Sequence, residues 1–354
     1  MKNLFLCGLF LLFIAGCTSL VQDESLPNQY DLEKPTPEFE VFDLEKEMRI
    51  YEQQNRERLA NASHLKKGCD SNIKVPSDYP TIQEAVDNVC VGGSVMVSSG
   101  TYFERVFVGK PGIKIKAVGA VQLMGGFILN DEADETTIQN FEINLYSDSH
   151  GIFSYNADNL SISQNVINDY PLVGNYGIIL GNTSGSSIHK NSIDGASNGI
   201  ALMNDGTLGV SQNNTVLNNT VKRYVVSGIS LSGNLDENSI KNNSVSLHAF
   251  YRVRPYGGGI ALNGNCDYNE IKNNDISDGT IGILITDFNS GNEISGNLIS
   301  YQYMYGINSL ALEEGSDPNI FKNNTVLNSS SCDIVDESGR NIYINNTADC
   351  TSGI

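Results

Sequence analysis

Two stretches of the chain gather most of the residues able to do chemistry. Residues 248–256 hold His248, Tyr251, Arg252, Arg254 and Tyr256, and residues 222–224 hold Lys222, Arg223 and Tyr224. His150, with Asp148 two places before it, Asp169 and Tyr176 lie upstream; Tyr301, Tyr303 and Tyr305 lie downstream. Guanidinium forks match carboxylates, and Tyr rings cover sugar faces. A polymer of uronic acids asks for both. Elimination or epimerisation at a uronate needs three roles. An Arg neutralises the carboxylate and acidifies the α-proton, a Tyr or His takes that proton, and a second such group protonates the leaving oxygen or the opposite face. Arg223, His248, Arg252, Arg254 and Tyr256 are the candidates for these roles. His150, Tyr176, Tyr224, Tyr251, Tyr303 and Tyr305 are candidates for holding the substrate. The plainer alternative is that these residues solubilise and cover a long loop.

Composition narrows the partners. The 354 residues carry 22 Lys and Arg against 41 Asp and Glu, a net charge of −19. So acidic a surface argues against nucleic acid, whose phosphates need cationic neutralisation. It would also repel a polyanion at long range, so a local basic cluster must overcome the overall field. Gly is frequent at 34 and Asn is in excess, which excludes an ordinary helical protein because both are poor helix formers.

A repeat positions these side chains. Gly followed by Ile recurs at Gly151, Gly177, Gly199, Gly228, Gly259, Gly282 and Gly306. In phase with it runs an apolar–Asn–apolar signature at Asn165, Asn191, Asn219, Asn243, Asn274, Asn297 and Asn324, with a weaker copy at Asn345. Periods of this length mark solenoids, and the short Ile- and Val-rich runs between turns are strand chemistry. A leucine-rich repeat would need a Leu consensus and a helix per unit, and neither is visible. The reading is an all-β, single-stranded, right-handed parallel β-helix of about ten coils, stacked about 4.8 Å apart. Turn Asn residues tolerate the left-handed region, and stacked on their counterparts they hydrogen-bond as a ladder, so the Asn series is structural rather than metal-ligating. From the ladder Asn to the next Gly-Ile most coils use eight or nine residues, but Asn165 to Gly177 takes 12 and Asn243 to Gly259 takes 16. Extra residues in a packed solenoid must bulge outward, and both bulges fall where the candidate residues cluster.

The N-terminal region reads differently. Lys2 precedes an apolar run from Leu4 to Ile14, too short to span a bilayer and built like a signal-peptide core. Ile14-Ala15-Gly16-Cys17 resembles the bacterial lipobox, which implies a signal peptide over 1–16, lipidation of Cys17 and an envelope location, with Thr18 favouring the outer membrane. Residues 17–68 read as an acidic tether with a helix over 43–65, N-capped by Asp43. Its thin stripe of Leu44, Met48, Tyr51 and Leu59 either packs on the solenoid or extends the tether. The solenoid domain spans 69–354 and opens with a capping helix, where Thr81 and Glu84 form a capping box. The compartment permits disulfides; Cys69–Cys90 and Cys332–Cys350 are the expected local pairs, with Cys266 free. No spacing suggests a metal site.

Tyr79 to Val108, with the Gly100-Thr101-Tyr102-Phe103-Glu104 turn, resembles the opening of pectin-lyase-like β-helices, and the later coils resemble the repeats of NosD-type and carbohydrate-active β-helix proteins. The resemblance covers about residues 72 to 346. It implies the fold; it carries over no catalytic motif. The paired acids of methylesterases and polygalacturonases are missing, and Asp148-Ser149-His150 is only a fragment of an alginate-epimerase motif. Three functions compete. The first is an envelope enzyme acting on acidic polysaccharide as lyase or epimerase. The second is a non-catalytic lipoprotein that binds glycan or protein. The third is a NosD-like periplasmic maturation factor, which would place metal-binding His, Met or Cys in exposed loops. No cofactor follows from the sequence, calcium alone staying open.

Overall fold

Alternate Ile and Val side chains turn inward all along the winding, and three faces share them. The computed structural model describes residues 42–62, 68–145, 150–169, 175–247, 258–286, 288–310 and 312–354. Cys17 and the expected signal peptide over 1–16 lie outside these residues. Each coil contributes a short strand to face A, such as Ser187–His189 and Thr215–Leu217, then one to face B, such as Ser192–Asp194 and Thr220–Lys222. It then contributes a longer strand to face C, such as Tyr176–Gly181 and Asn198–Met203. Every strand pairs in parallel with its counterpart in the next coil: Ile188 with Val216, Ile193 with Val221, Ile178 with Ile200. Face C stacks eleven strands. The fold is an all-β right-handed parallel β-helix of about eleven turns, close to the number expected.

The faces differ in burial. On faces A and B the central residue alone points inward, as Ile162, Ile188 and Val216 do on A and Ile167, Ile193 and Val221 on B. Face C strands are buried through most of their length, outward-facing Phe153 and Ile179 included. Double burial explains the near-continuous apolar runs there.

The Asn series forms the corner between A and B. The amide Nδ2 of Asn191 donates to Oδ1 of Asn219 at 3.0 Å and to the Ile162 carbonyl at 2.9 Å, while its backbone N–H donates to the same Oδ1 at 2.9 Å. The pattern runs from Asn165 through Asn191, Asn219, Asn243, Asn274 and Asn297 to Asn324. It ends on Asn346, one residue past the copy read from the sequence. Left-handed backbone belongs to the residue before each rung, Lys190 and Asn218 for example, so amide stacking and backbone strain are divided between neighbours. A second ladder, Asn214, Asn238, Asn269, Asn292, Asn319 and Asn341, lines the corner between C and A.

The Gly-Ile glycines are set by close approach. A Cβ on Gly228 would stand 2.2 Å from Val245 Cγ1 and 2.6 Å from the Gly259 carbonyl, and Gly199 and Gly282 meet the same obstacle one coil at a time. No side chain fits between the corner and the branched residue across the lumen.

Two helices complete the described chain. Helix α1 (Leu44–Ala60) is N-capped by Asp43, which accepts the Lys46 N–H at 2.9 Å. It stops five residues short of the expected end; residues 63–67 lie outside the described ones. Helix α2 (Ile82–Asn88) packs on the first coils. Thr81 accepts the Glu84 N–H at 3.1 Å, but the Ile82 and Gln83 amides donate to the Glu104 carboxylate at 2.9 and 2.8 Å. Glu104 of the Gly-Thr-Tyr-x-Glu turn thus fills the role expected of Glu84. Disulfides join Cys69 to Cys90 and Cys332 to Cys350, and Cys266 is free and buried.

Candidate functional site

The solenoid turns from face B to face C at one corner, and two over-long connections fall there, while the C-to-A corner carries its own, from Met203 to Thr215 and from Ser309 to Ile320. Of the B-to-C pair, one lies between Val166–Asp169 and Tyr176–Gly181, the other between Ser244–Ser246 and Gly258–Asn263. His248, Tyr251, Arg252, Arg254 and Tyr256 sit within the second and lie outside the described residues.

The other candidates are spread along that corner. His150 and Tyr176 meet: their rings lie 5.4 Å apart edge to face, and the Tyr176 N–H donates to His150 Nδ1 at 3.2 Å. Arg223 stands two coils further on, about 10 Å along the axis. Its backbone is left-handed and its guanidinium pairs with Asp194 of the coil before. Tyr305 is five coils beyond Tyr176, about 24 Å away, and packs on Ala261, Ile281 and Leu284. Tyr301 and Tyr303 project into solvent, 60% and 51% exposed. Tyr224 does not belong to this edge. It is 2% exposed and turns into the lumen, where only the glycines Gly228, Gly259 and Gly279 leave room for a phenol. His150 is not an open contact either; it is 7% exposed and lies beneath α1.

Around His150 the structure assembles a cluster that sequence reading did not unite. Leu44, Met48 and Tyr51 of α1 are buried, so the helix packs on face C rather than extending a tether; Leu59 stays outside the contact. Tyr51 meets Phe153 with ring centroids 5.4 Å apart, and the Arg105 guanidinium lies 4.9 Å from the Tyr51 ring centre. Glu47 faces His150 Nε2 at 3.6 Å. The His150 imidazole first, with Tyr51 and Arg105 adding to it, holds the Glu47 carboxyl below the usual range against the opposing cost of burial. Asp169 is buried at the end of its strand; Asn175 Nδ2 donates to its Oδ1 at 3.3 Å, and Oδ2 finds no partner among the described residues. Burial pushes this carboxyl up, opposed by Asn175 and His150. Burial also pushes the Tyr176 phenol up to about 12. At its far end α1 is fixed by Arg58, which pairs with Asp87 through both nitrogens. A groove follows one flank of α1 and widens to about 180 Å³ beside Glu45, Arg49, Glu52, Asp131 and Tyr155. The signal for the cluster was the i, i+4, i+7 spacing of Leu44, Met48 and Tyr51, with Glu47 on the adjoining face.

The fold and its decorated corner define a pectin-lyase-like right-handed β-helix protein. Solved structures agree on the fold. The periplasmic alginate epimerase AlgG matches with a TM-score of 0.50 at 12% identity over 80% of this chain and 84% of the other. A polygalacturonase from Erwinia carotovora ssp. carotovora matches with a TM-score of 0.51 at 13% identity over 82% and 96%. The Dettilon tailspike protein matches with a TM-score of 0.50 at 15% identity over 80% and 57%. No curated protein sequence matches the chain. Residues 87–309 match the family described as "Periplasmic copper-binding protein (NosD)", and the chain belongs to that family.

Copper sites draw on His, Cys and Met. Here His150 is beneath α1 at the start of face C and His189 is on face A. Burial pushes the Cys266 thiol up to about 12, so it resists becoming the thiolate a metal needs. No three His, Cys, Asp or Glu side chains converge among the described residues. The described His, Cys, Asp and Glu side chains form no copper site.

Proposed function

We propose that this is a lipid-anchored protein of the bacterial cell envelope that binds an acidic polysaccharide along the B-to-C corner. The observation that supports it most is the length of two B-to-C connections, Asp169 to Tyr176 and Ser246 to Gly258, at a corner that most other coils turn in three or four residues. That corner also concentrates Arg and Tyr in an otherwise acidic chain. The alginate epimerase and the polygalacturonase share only a fold with this chain, which by itself assigns no activity. Their names and the periplasmic designation of the NosD family are consistent with an envelope polysaccharide as the partner. In this reading Arg223, Arg252 and Arg254 receive uronate carboxylates, while Tyr251, Tyr303 and Tyr305 stack on sugar rings. Lyase or epimerase chemistry would use Arg252 or Arg254 to acidify the α-proton and His248 or Tyr256 to remove it. A copper-delivery role has no donor set to support it among the described residues.

The test is gel retardation with alginate, pectate and glycosaminoglycans, alongside an ultraviolet assay for unsaturated product. Retardation by at least one polymer, abolished by Arg252→Ala with Arg254→Ala, is the expected result. Product formation adds the catalytic step. Mobility unchanged by every polymer overturns the reading.

A further inference from the structure

Beneath α1, face C presents a guanidinium, an imidazole and aromatic rings to a single carboxylate. Glu47 sits against His150 at 3.6 Å and within the field of Arg105. Tyr51 lies against Phe153 with Arg105 over its ring. A carboxylate held by an imidazole and a guanidinium, next to a ring stacked on an aromatic platform, is the arrangement a sugar acid would make with the same surface.

We propose that α1 is a built-in competitor: its Glu47 and Tyr51 occupy a uronate-binding subsite on face C formed by Arg105, His150, Phe153 and Tyr176, which ligand gains when the helix lifts. This rests on the acidic-polysaccharide reading above and adds a second, concealed subsite to it. Three observations support a helix that lifts. It buries only Leu44, Met48 and Tyr51 of its 17 residues. Its flank is undercut by the groove beside Glu52 and Asn130, which gives a sugar a way in. Its C-terminal end is tied elsewhere, by Arg58 to Asp87 of α2, so the N-terminal half can leave while the helix stays tethered. Charge sets the competition: the ligand carboxylate and Glu47 exclude each other from the place beside the Arg105 guanidinium and His150 Nε2.

The chain has no Trp, so Tyr51→Trp supplies a sole reporter of the seam. The experiment titrates full-length protein in detergent with polygalacturonate and alginate oligomers. Expected results are a shift of Trp emission on binding, about tenfold tighter binding for Glu47→Gln, and loss of that gain when His150→Gln is added. Glu57→Gln, on the exposed face of α1, should bind like the parent. Should Tyr51→Trp fold poorly, hydrogen exchange of α1 in the unaltered protein replaces it: protection should fall on adding oligomer. Binding that ignores Glu47→Gln, with α1 equally protected throughout, overturns the competitor while leaving the corner reading intact if Arg252→Ala with Arg254→Ala still abolishes retardation. No binding by any variant overturns both.

Discussion

Asn219 shows what one side chain contributes to the winding. Its Oδ1 accepts both the backbone N–H and the Nδ2 of Asn191, and its own Nδ2 donates to Asn243 and to the Ile188 carbonyl. Truncation leaves two donors of Asn191 without their shared acceptor, in a corner that excludes water. With each orphaned buried group costing about 1–3 kcal/mol, Asn219→Ala should lose about 3 kcal/mol or more in urea unfolding. Asn218→Gly, at a residue whose φ is already +55°, should be close to neutral. The contrast separates the two jobs that the sequence merged into one. The first ladder was legible because each rung sits between apolar residues. The second was equally present, five positions before each rung at Asn214, Asn238, Asn269 and Asn292, but only the apolar residue two places after it repeats, while the place three before varies as Ser211, Leu235, Cys266 and Asn289, so half the signature is missing.

Among the elements, α1 carries the least predictable information. Its existence and N-cap follow from local chemistry, because Asp43 and the run of charged helix formers need no partner. Its docking does not: a stripe of three apolar residues is thin enough to be read either way, and its partner, face C, lies about a hundred residues downstream. Tyr224 failed for a related reason. Sequence gave no measure of lumen space, and the cavity left by three glycines from different coils appears only on winding. Docking through Glu47 has a pH signature. A carboxyl held below its ordinary value stabilises the docked helix above about pH 4.3 and loses that contribution as pH falls through the lowered value. Pepsin cleavage within α1 should therefore accelerate toward the acid end of its working range in the parent protein. In Glu47→Gln the acid-dependent part should disappear, leaving cleavage faster than in the parent above about pH 4.3 and matching it at the acid end.

The whole molecule is a stack in which each coil touches only its neighbours, so stability should propagate as a sum of local terms rather than as one cooperative block. Its two disulfides lie near opposite ends of the winding, Cys69–Cys90 against the first coils and Cys332–Cys350 across the last described ones. The second closes a sequence separation of 18 residues, a constraint worth about 3 kcal/mol on the chain-entropy account. Nearby, Asp333 accepts the Asp349 amide at 2.7 Å, the strand Ile342–Ile344 pairs with Ile320–Lys322, and Tyr343 stacks on Phe321, so the last coil keeps local contacts of its own. In a globular core such a loss would lower protection everywhere. In a one-dimensional stack it should stay where it is made. Cys332→Ser with Cys350→Ser should raise amide exchange across Cys332–Asp336 and Thr351–Ser352, while face C from Ile152 to Ser232 keeps its protection. Uniform loss across both regions, followed by hydrogen-exchange mass spectrometry, would show the coils to be coupled over the whole length. A lifted α1 would then be felt at the far end of the corner as well as at His150.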